Sequence, residues 1–115
     1  MKVVLHPLLE RDIVGMAEHV FAVSGDGDAA RRRILEARDL IEAVVAEPGL
    51  GTTLDAPLDG WRVRHGGRNL RITVVFRHDA ASDALYIALI AFGGCDWEAH
   101  AARRSEFRGF EQRRG

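Results

Sequence analysis

Residues 61–92 read WRVRHGGRNLRITVVFRHDAASDALYIALIAF, and their hydrophobic period is two. Trp61, Val63 and His65 alternate with Arg62 and Arg64. Leu70, Ile72, Val74, Phe76 and His78 alternate with Arg71, Thr73, Val75 and Arg77. Leu85, Ile87, Leu89 and Ala91 alternate with Ala84, Tyr86, Ala88 and Ile90. Alternation sends neighbouring side chains to opposite faces of an extended chain, so each run predicts a strand. Gly66-Gly67 offers a turn where φ > 0 is cheap, and residues 79–83 form a second turn. Three successive strands on short connections predict an antiparallel meander. By parity, Leu70, Ile72, Val74 and Phe76, with Trp61 and Val63, form one apolar face. Arg62, Arg64, Arg71 and Arg77 then share the other. Such a face suits either solvent or an anion-binding surface for nucleic acid or an acidic protein segment.

Upstream of residue 61 the period is 3.6. Leu9, Ile13, Met16, Ala17, Val20 and Phe21 recur at spacings of three and four, which is one stripe of an amphipathic helix. Ser24-Gly25-Asp26-Gly27-Asp28 interrupts it, with Asp28 as the expected N-cap of the next helix. Ala30, Ile34, Ala37, Ile41, Val44 and Val45 carry that second stripe to a stop at Glu47-Pro48-Gly49. The two helices read as a hairpin with one apolar side. Val3-Val4-Leu5 is a short β-prone run ended by Pro7, and its place in the sheet is left open. Residues 49–60, GLGTTLDAPLDG, read as a loop. After Gly93-Gly94, Asp96 caps a short helix through Trp97, Ala101 and Ala102. The expected fold is α+β: a short N-terminal strand, a helical hairpin packed on an antiparallel three-strand meander, and a short C-terminal helix. Residues 1–104 are expected to form one domain, followed by a charged tail over 105–115.

Composition bounds the function. The 115 residues are 47% hydrophobic and 29% charged, the balance of an ordinary globular domain. That size can bury about two thirds of the unfolded surface, so neither disulfides nor metal are needed. A single cysteine, Cys95, cannot form an internal disulfide. The N-terminus is too short and polar for a signal peptide, and the apolar run over 84–92 is too short to span a bilayer as a helix. A cytoplasmic protein without membrane contact is expected. The net charge of −1 hides an asymmetry, because all ten basic residues of 61–115 are arginine and the acidic excess lies in 1–60. Arginine suits bidentate contact with phosphate or carboxylate.

No histidine pair stands at i, i+4 and there is no second cysteine, so no metal site is expected. Ser24, Ser82 and Ser105 lack the strand–turn–helix setting of a nucleophile elbow. Gly25-Asp26-Gly27 and Gly49-Leu50-Gly51 are loop glycines, neither of which follows a strand as a phosphate-binding turn would, and no cofactor is expected. Trp97 reads as an apolar anchor for the last helix, or as a stacking contact for a partner.

The order of elements, together with His6-Pro7 leading into Glu10-Arg11-Asp12-Ile13, Ala29-Ala30-Arg31, Glu47-Pro48-Gly49-Leu50-Gly51 and Gly93-Gly94-Cys95-Asp96-Trp97, resembles the RelE/ParE superfamily of type II toxin–antitoxin toxins. The loop phrase and the last phrase are most similar to the ParE side. The resemblance covers about residues 1–100. It implies a cognate antitoxin as partner. On the ParE branch it implies inhibition of DNA gyrase without enzymatic activity, with Arg62, Arg64, Arg71, Arg77 and Trp97 as target- or anion-binding residues. On the RelE branch it implies ribosome-dependent cleavage of mRNA by an endoribonuclease, with His65, His78 and Arg77 as the catalytic candidates. Phe92 stands where many superfamily members have histidine, and an apolar ring cannot shuttle a proton. Cys95 stands where ParE-like chains commonly have arginine. The ParE branch is the leading expectation.

Overall fold

The computed structural model describes residues 1–106. The elements are β1 (Lys2–Leu5), α1 (Leu9–Ser24), α2 (Gly27–Ala46), β2 (Thr52–Thr53), β3 (Arg62–Gly66), β4 (Ile72–Asp79), β5 (Ala84–Phe92) and α3 (Trp97–Ser105), with a 3-10 turn at Arg68–Leu70 between β3 and β4. The expected α+β architecture is present. The meander β3–β4–β5 is antiparallel, and two further strands complete a sheet ordered β1-β5-β4-β3-β2. β1 lies parallel to β5, with Lys2 opposite Ala84 and Leu5 opposite Ile87. A parallel neighbour requires a long crossover, which the helical hairpin supplies. β2 comes from within the stretch read as loop and pairs Thr52 with Val63.

α1 and α2 are separated by only Gly25 and Asp26. Gly25 takes the left-handed conformation, φ 68°, and its N–H donates to the Phe21 carbonyl. The cap of α2 is Asp26 rather than Asp28. The Asp26 carboxylate accepts from the Asp28 N–H at 2.9 Å, and Asp28 is already within the helix. Both aspartates satisfy the composition rule for a cap; only the tight turn, closed at Gly25, decides which of them lies outside the helix.

The sheet separates two cores. On one side Leu9, Ile13 and Met16 of α1 and Ala37, Leu40 and Val44 of α2 bury Ile72, Val74, Phe76, Leu85, Ile87 and Ile90. On the other, Val4, Trp61, Val63, Val75, Tyr86, Ala88, Leu89 and Ala91 pack beneath Leu58 of the β2–β3 connection and Ala101 of α3, with Trp97 against them. Fully buried side chains of this kind contribute about 1.5–3 kcal/mol each.

The second core corrects the expected division of faces. Directly opposed residues of an antiparallel pair share a face, and Arg62 opposes Phe76 while Arg64 opposes Val74. Trp61 and Val63 therefore lie away from the helical hairpin, and Arg62 and Arg64 lie on its side. Arg77 falls on the opposite face, opposed to Tyr86. Alternation holds within each strand, but the phase between β3 and β4 is set by the turn at residues 66–71, which parity cannot see. A register irregularity at Val75/Phe76 has Val75 opposite Leu89 and Phe76 opposite Ile87, so Ala88 is the extra residue of a bulge and shares its face with Leu89. Leu70, assigned by its parity to the apolar face, lies in the turn and is 67% exposed.

α3 begins, as expected, at an Asp96 cap, whose carboxylate accepts from the Ala99 N–H. It runs to Ser105. Most of the expected charged tail lies outside the described residues. No helix among the described residues is long and apolar enough to cross a membrane.

Candidate functional site

Arg62, Arg64, Arg71 and Arg77 occupy three settings. Arg62 and Arg64 are half-buried beside α2 and the β2 segment. Arg64 donates to the Ala43 carbonyl at 3.2 Å, and Arg62 reaches the Gly51 carbonyl at 3.4 Å. Arg77, on the other face, lies between two rings, with its guanidinium carbon 5.1 Å from the centroids of both Trp61 and Tyr86. Two aromatic faces attract a cation by their quadrupoles, so this arginine is held in place by the second core. Arg71 is exposed just before β4, its guanidinium carbon 5.2 Å from the centre of the Phe92 ring. The four cations do not form one anion-binding face.

The two candidate proton-transfer groups are also separated. His65 stands at the end of β3, where its Nδ1 meets the Thr73 hydroxyl at 2.9 Å and its ring meets the edge of Trp97 at 6.3 Å. His78 stands near the far end of β4, with Nε2 3.7 Å from an Asp83 carboxylate oxygen. Thr73 and His78 are five positions apart on one strand, about 17 Å at 3.3–3.4 Å per residue. Arg77 is one position from His78 but points to the other face. No arrangement places His65, His78 and Arg77 around one reacting atom. Trp97 sits half-buried on the second core at the start of α3, the anchoring role read from its sequence position.

The most tightly organised polar group was not singled out from the sequence. Arg104 of α3 makes a two-pronged pair with Asp12 of α1, NH1 to Oδ2 at 2.5 Å and NH2 to Oδ1 at 2.7 Å. The same guanidinium donates to the Ala88 carbonyl at 2.9 Å, and Asp12 accepts from the Ile90 N–H at 3.1 Å. β1 pairs with β5 only as far as Ile87, so the backbone of β5 beyond it is satisfied by this ion pair. His6 lies nearby at the β1–α1 junction, buried, with Nδ1 accepting from the Leu8 N–H at 3.1 Å. Burial pushes its pKa below the ordinary value, the Arg104 charge adds to that, and Asp12 opposes it. A cleft of about 730 Å³ is lined by His6, Leu8, His100, Arg103, Arg104 and Glu106 among others. A sequence signal for Asp12 existed. It is a carboxylate next to the buried stripe of Leu9, Ile13 and Met16, where a charge needs a partner. Among the described residues no group of three or more His, Cys, Asp or Glu could hold a metal ion.

No protein-family model matches the chain. No curated protein matches it either. A solved structure described as the chromosomal ParDE TA system from P. aeruginosa contains a chain that superimposes with a TM-score of 0.65. The two share a fold. The likeness covers 81% of this chain and 96% of the other, at 18% sequence identity. The ParE-like architecture expected from the order of elements is thus the architecture of a chain from a ParDE system.

Proposed function

We propose that this chain is the toxin of a type II toxin–antitoxin pair, ParE-like in action, which inhibits DNA gyrase in the cytoplasm and is neutralised by a cognate antitoxin. The observation that carries this reading is the fold shared with a ParDE chain over nearly all of that chain's length. The dispersal of the candidate catalytic groups supports an inhibitor over a nuclease. His65 and His78 lie at opposite ends of the strands, Arg77 is enclosed by Trp61 and Tyr86, and Phe92 closes β5. Inhibition by binding needs a surface of complementary shape and charge, not a proton-transfer pair.

Induced expression of the chain alone is expected to arrest growth with gyrase-type DNA damage, and co-expression of the antitoxin to relieve it. Normal growth with intact DNA at good expression overturns the reading. The RelE-like alternative, a ribosome-dependent endoribonuclease, is tested in a translation extract. Message cleavage abolished by His65→Ala or His78→Ala would establish it in place of the inhibitor.

A further inference from the structure

The β3–β4 turn carries a cost that the fold does not recover. Asn69 and Leu70 are consecutive left-handed residues, with φ 58° and 56°. Asparagine tolerates this conformation, but a leucine there crowds its Cβ against the following carbonyl oxygen. Leu70 is also 67% exposed, so its position gains nothing from burial. A residue that is strained and apolar and faces water serves no local purpose in the turn, where glycine or asparagine would fit better.

The turn is nonetheless built to hold this conformation. The Leu70 N–H donates to Gly67 at 3.1 Å, and the Arg68 N–H donates to the Glu36 carboxylate at 3.2 Å. Glu36 is itself fixed by Arg33 at 2.7 Å. From below, the Gly93 N–H donates to the Arg71 carbonyl at 2.9 Å. Gly67, at φ 72°, lets the chain close onto the sheet, since a Cβ there would lie 2.8 Å from Ile72 Cδ1. Leu70 is therefore presented by a rigid support, and docking would cost little ordering entropy.

On either side of Leu70 stand Arg68 and Arg71, both exposed. Neither guanidinium has a carboxylate partner among the described residues, while most other arginines of the described chain do or are bonded to a carbonyl. An aliphatic knob between two cations that lack carboxylate partners among the described residues, Arg71 resting over the Phe92 ring, complements an apolar notch rimmed by carboxylates. A phosphate backbone would engage the arginines but offers no dry socket for the leucine.

We infer that the β3–β4 turn, with Leu70 as apolar anchor between Arg68 and Arg71, is the surface by which the chain docks on an acidic patch of its protein target. The inference rests on the gyrase-inhibitor reading above. The experiment compares the purified full-length chain with L70G and R68E/R71E for inhibition of DNA supercoiling by the gyrase tetramer, with thermal melting alongside. Glycine accepts the left-handed conformation, so L70G is expected to melt no lower than wild type yet need at least tenfold more protein for half-inhibition. R68E/R71E is expected to lose inhibition to the same extent or more. Equal inhibition by wild type and L70G overturns the docking surface and leaves the toxin reading intact. A lower melting temperature for L70G overturns it by showing a structural role for Leu70. Binding of wild type to duplex DNA without gyrase, weakened by R68E/R71E, overturns it in favour of nucleic acid. No inhibition by wild type removes the gyrase reading and the docking surface together.

Discussion

Asp12 and Arg104, ninety-two positions apart, form a two-pronged ion pair that joins α1 to α3 across the edge of β5. Both side chains are largely buried, 11% and 15% exposed, and each also bonds the β5 backbone, at Ile90 and Ala88. Removing one member leaves the other charge and a backbone group unpartnered in the interior. Arg104→Ala is expected to lower unfolding free energy by about 3 kcal/mol, in the range for breaking a buried pair. Urea titration measures it. A double-mutant cycle with Asp12→Ala should show strong coupling, and simple additivity would show that the pair contributes nothing as a unit.

The same neighbourhood gives stability a pH dependence through His6. Its folded-state pKa lies below the ordinary 6.5, first through burial, then through Arg104, against a smaller opposing pull from Asp12. Below 6.5 the unfolded chain binds the proton more readily than the folded one. The contribution of neutral His6 is therefore present above pH 6.5 and is lost as pH falls from there toward the lowered folded value. Asparagine keeps an acceptor for the Leu8 N–H but does not titrate. Urea midpoints measured from pH 8 to pH 5 should fall less steeply for His6→Asn than for wild type; parallel curves would contradict this.

Arg77 and Arg62 are expected to respond differently to the same change. Arg77→Met removes a cation held between Trp61 and Tyr86 and should cost about 1–2 kcal/mol. Arg62→Met removes only a long contact to the Gly51 carbonyl and should stay within about 0.5 kcal/mol of wild type. Chemical denaturation of the two variants side by side decides the matter. Equal losses would mean that the aromatic enclosure of Arg77 carries no stabilisation.

At the hairpin tip, the cap assignment has a direct consequence. Asp26→Ala removes the acceptor for the Asp28 N–H and should destabilise by about 1 kcal/mol. Asp28→Ala, inside the first turn and exposed, should cost less. The reverse order in thermal melts would return the cap to Asp28.

Period determined the main elements of this protein, while the two-residue β2 went unread within a stretch taken for loop. Alternation over residues 61–92 defined three strands, and the spacing of three and four in 9–21 and 30–45 defined two helices, because both patterns are local consequences of backbone geometry. The Asp96 cap was legible from its local sequence, whereas the cap of α2 was read as Asp28 and is Asp26, because the tight turn at Gly25 decides where that helix begins. The phase between strands was not local. The turn at 66–71 placed Arg62 opposite Phe76, and that pairing dispersed the four arginines and moved Trp61 and Val63 into a second core. β1 joined β5 in parallel only because the helical hairpin carries the chain across. The Asp12–Arg104 pair required α1, α3 and the free edge of β5 to meet, and Leu70 was strained and exposed only because Glu36, Gly67 and Gly93 hold its turn from three directions. Patterns that repeat along the chain can be read from it, whereas contacts between distant segments depend on how those patterns pack.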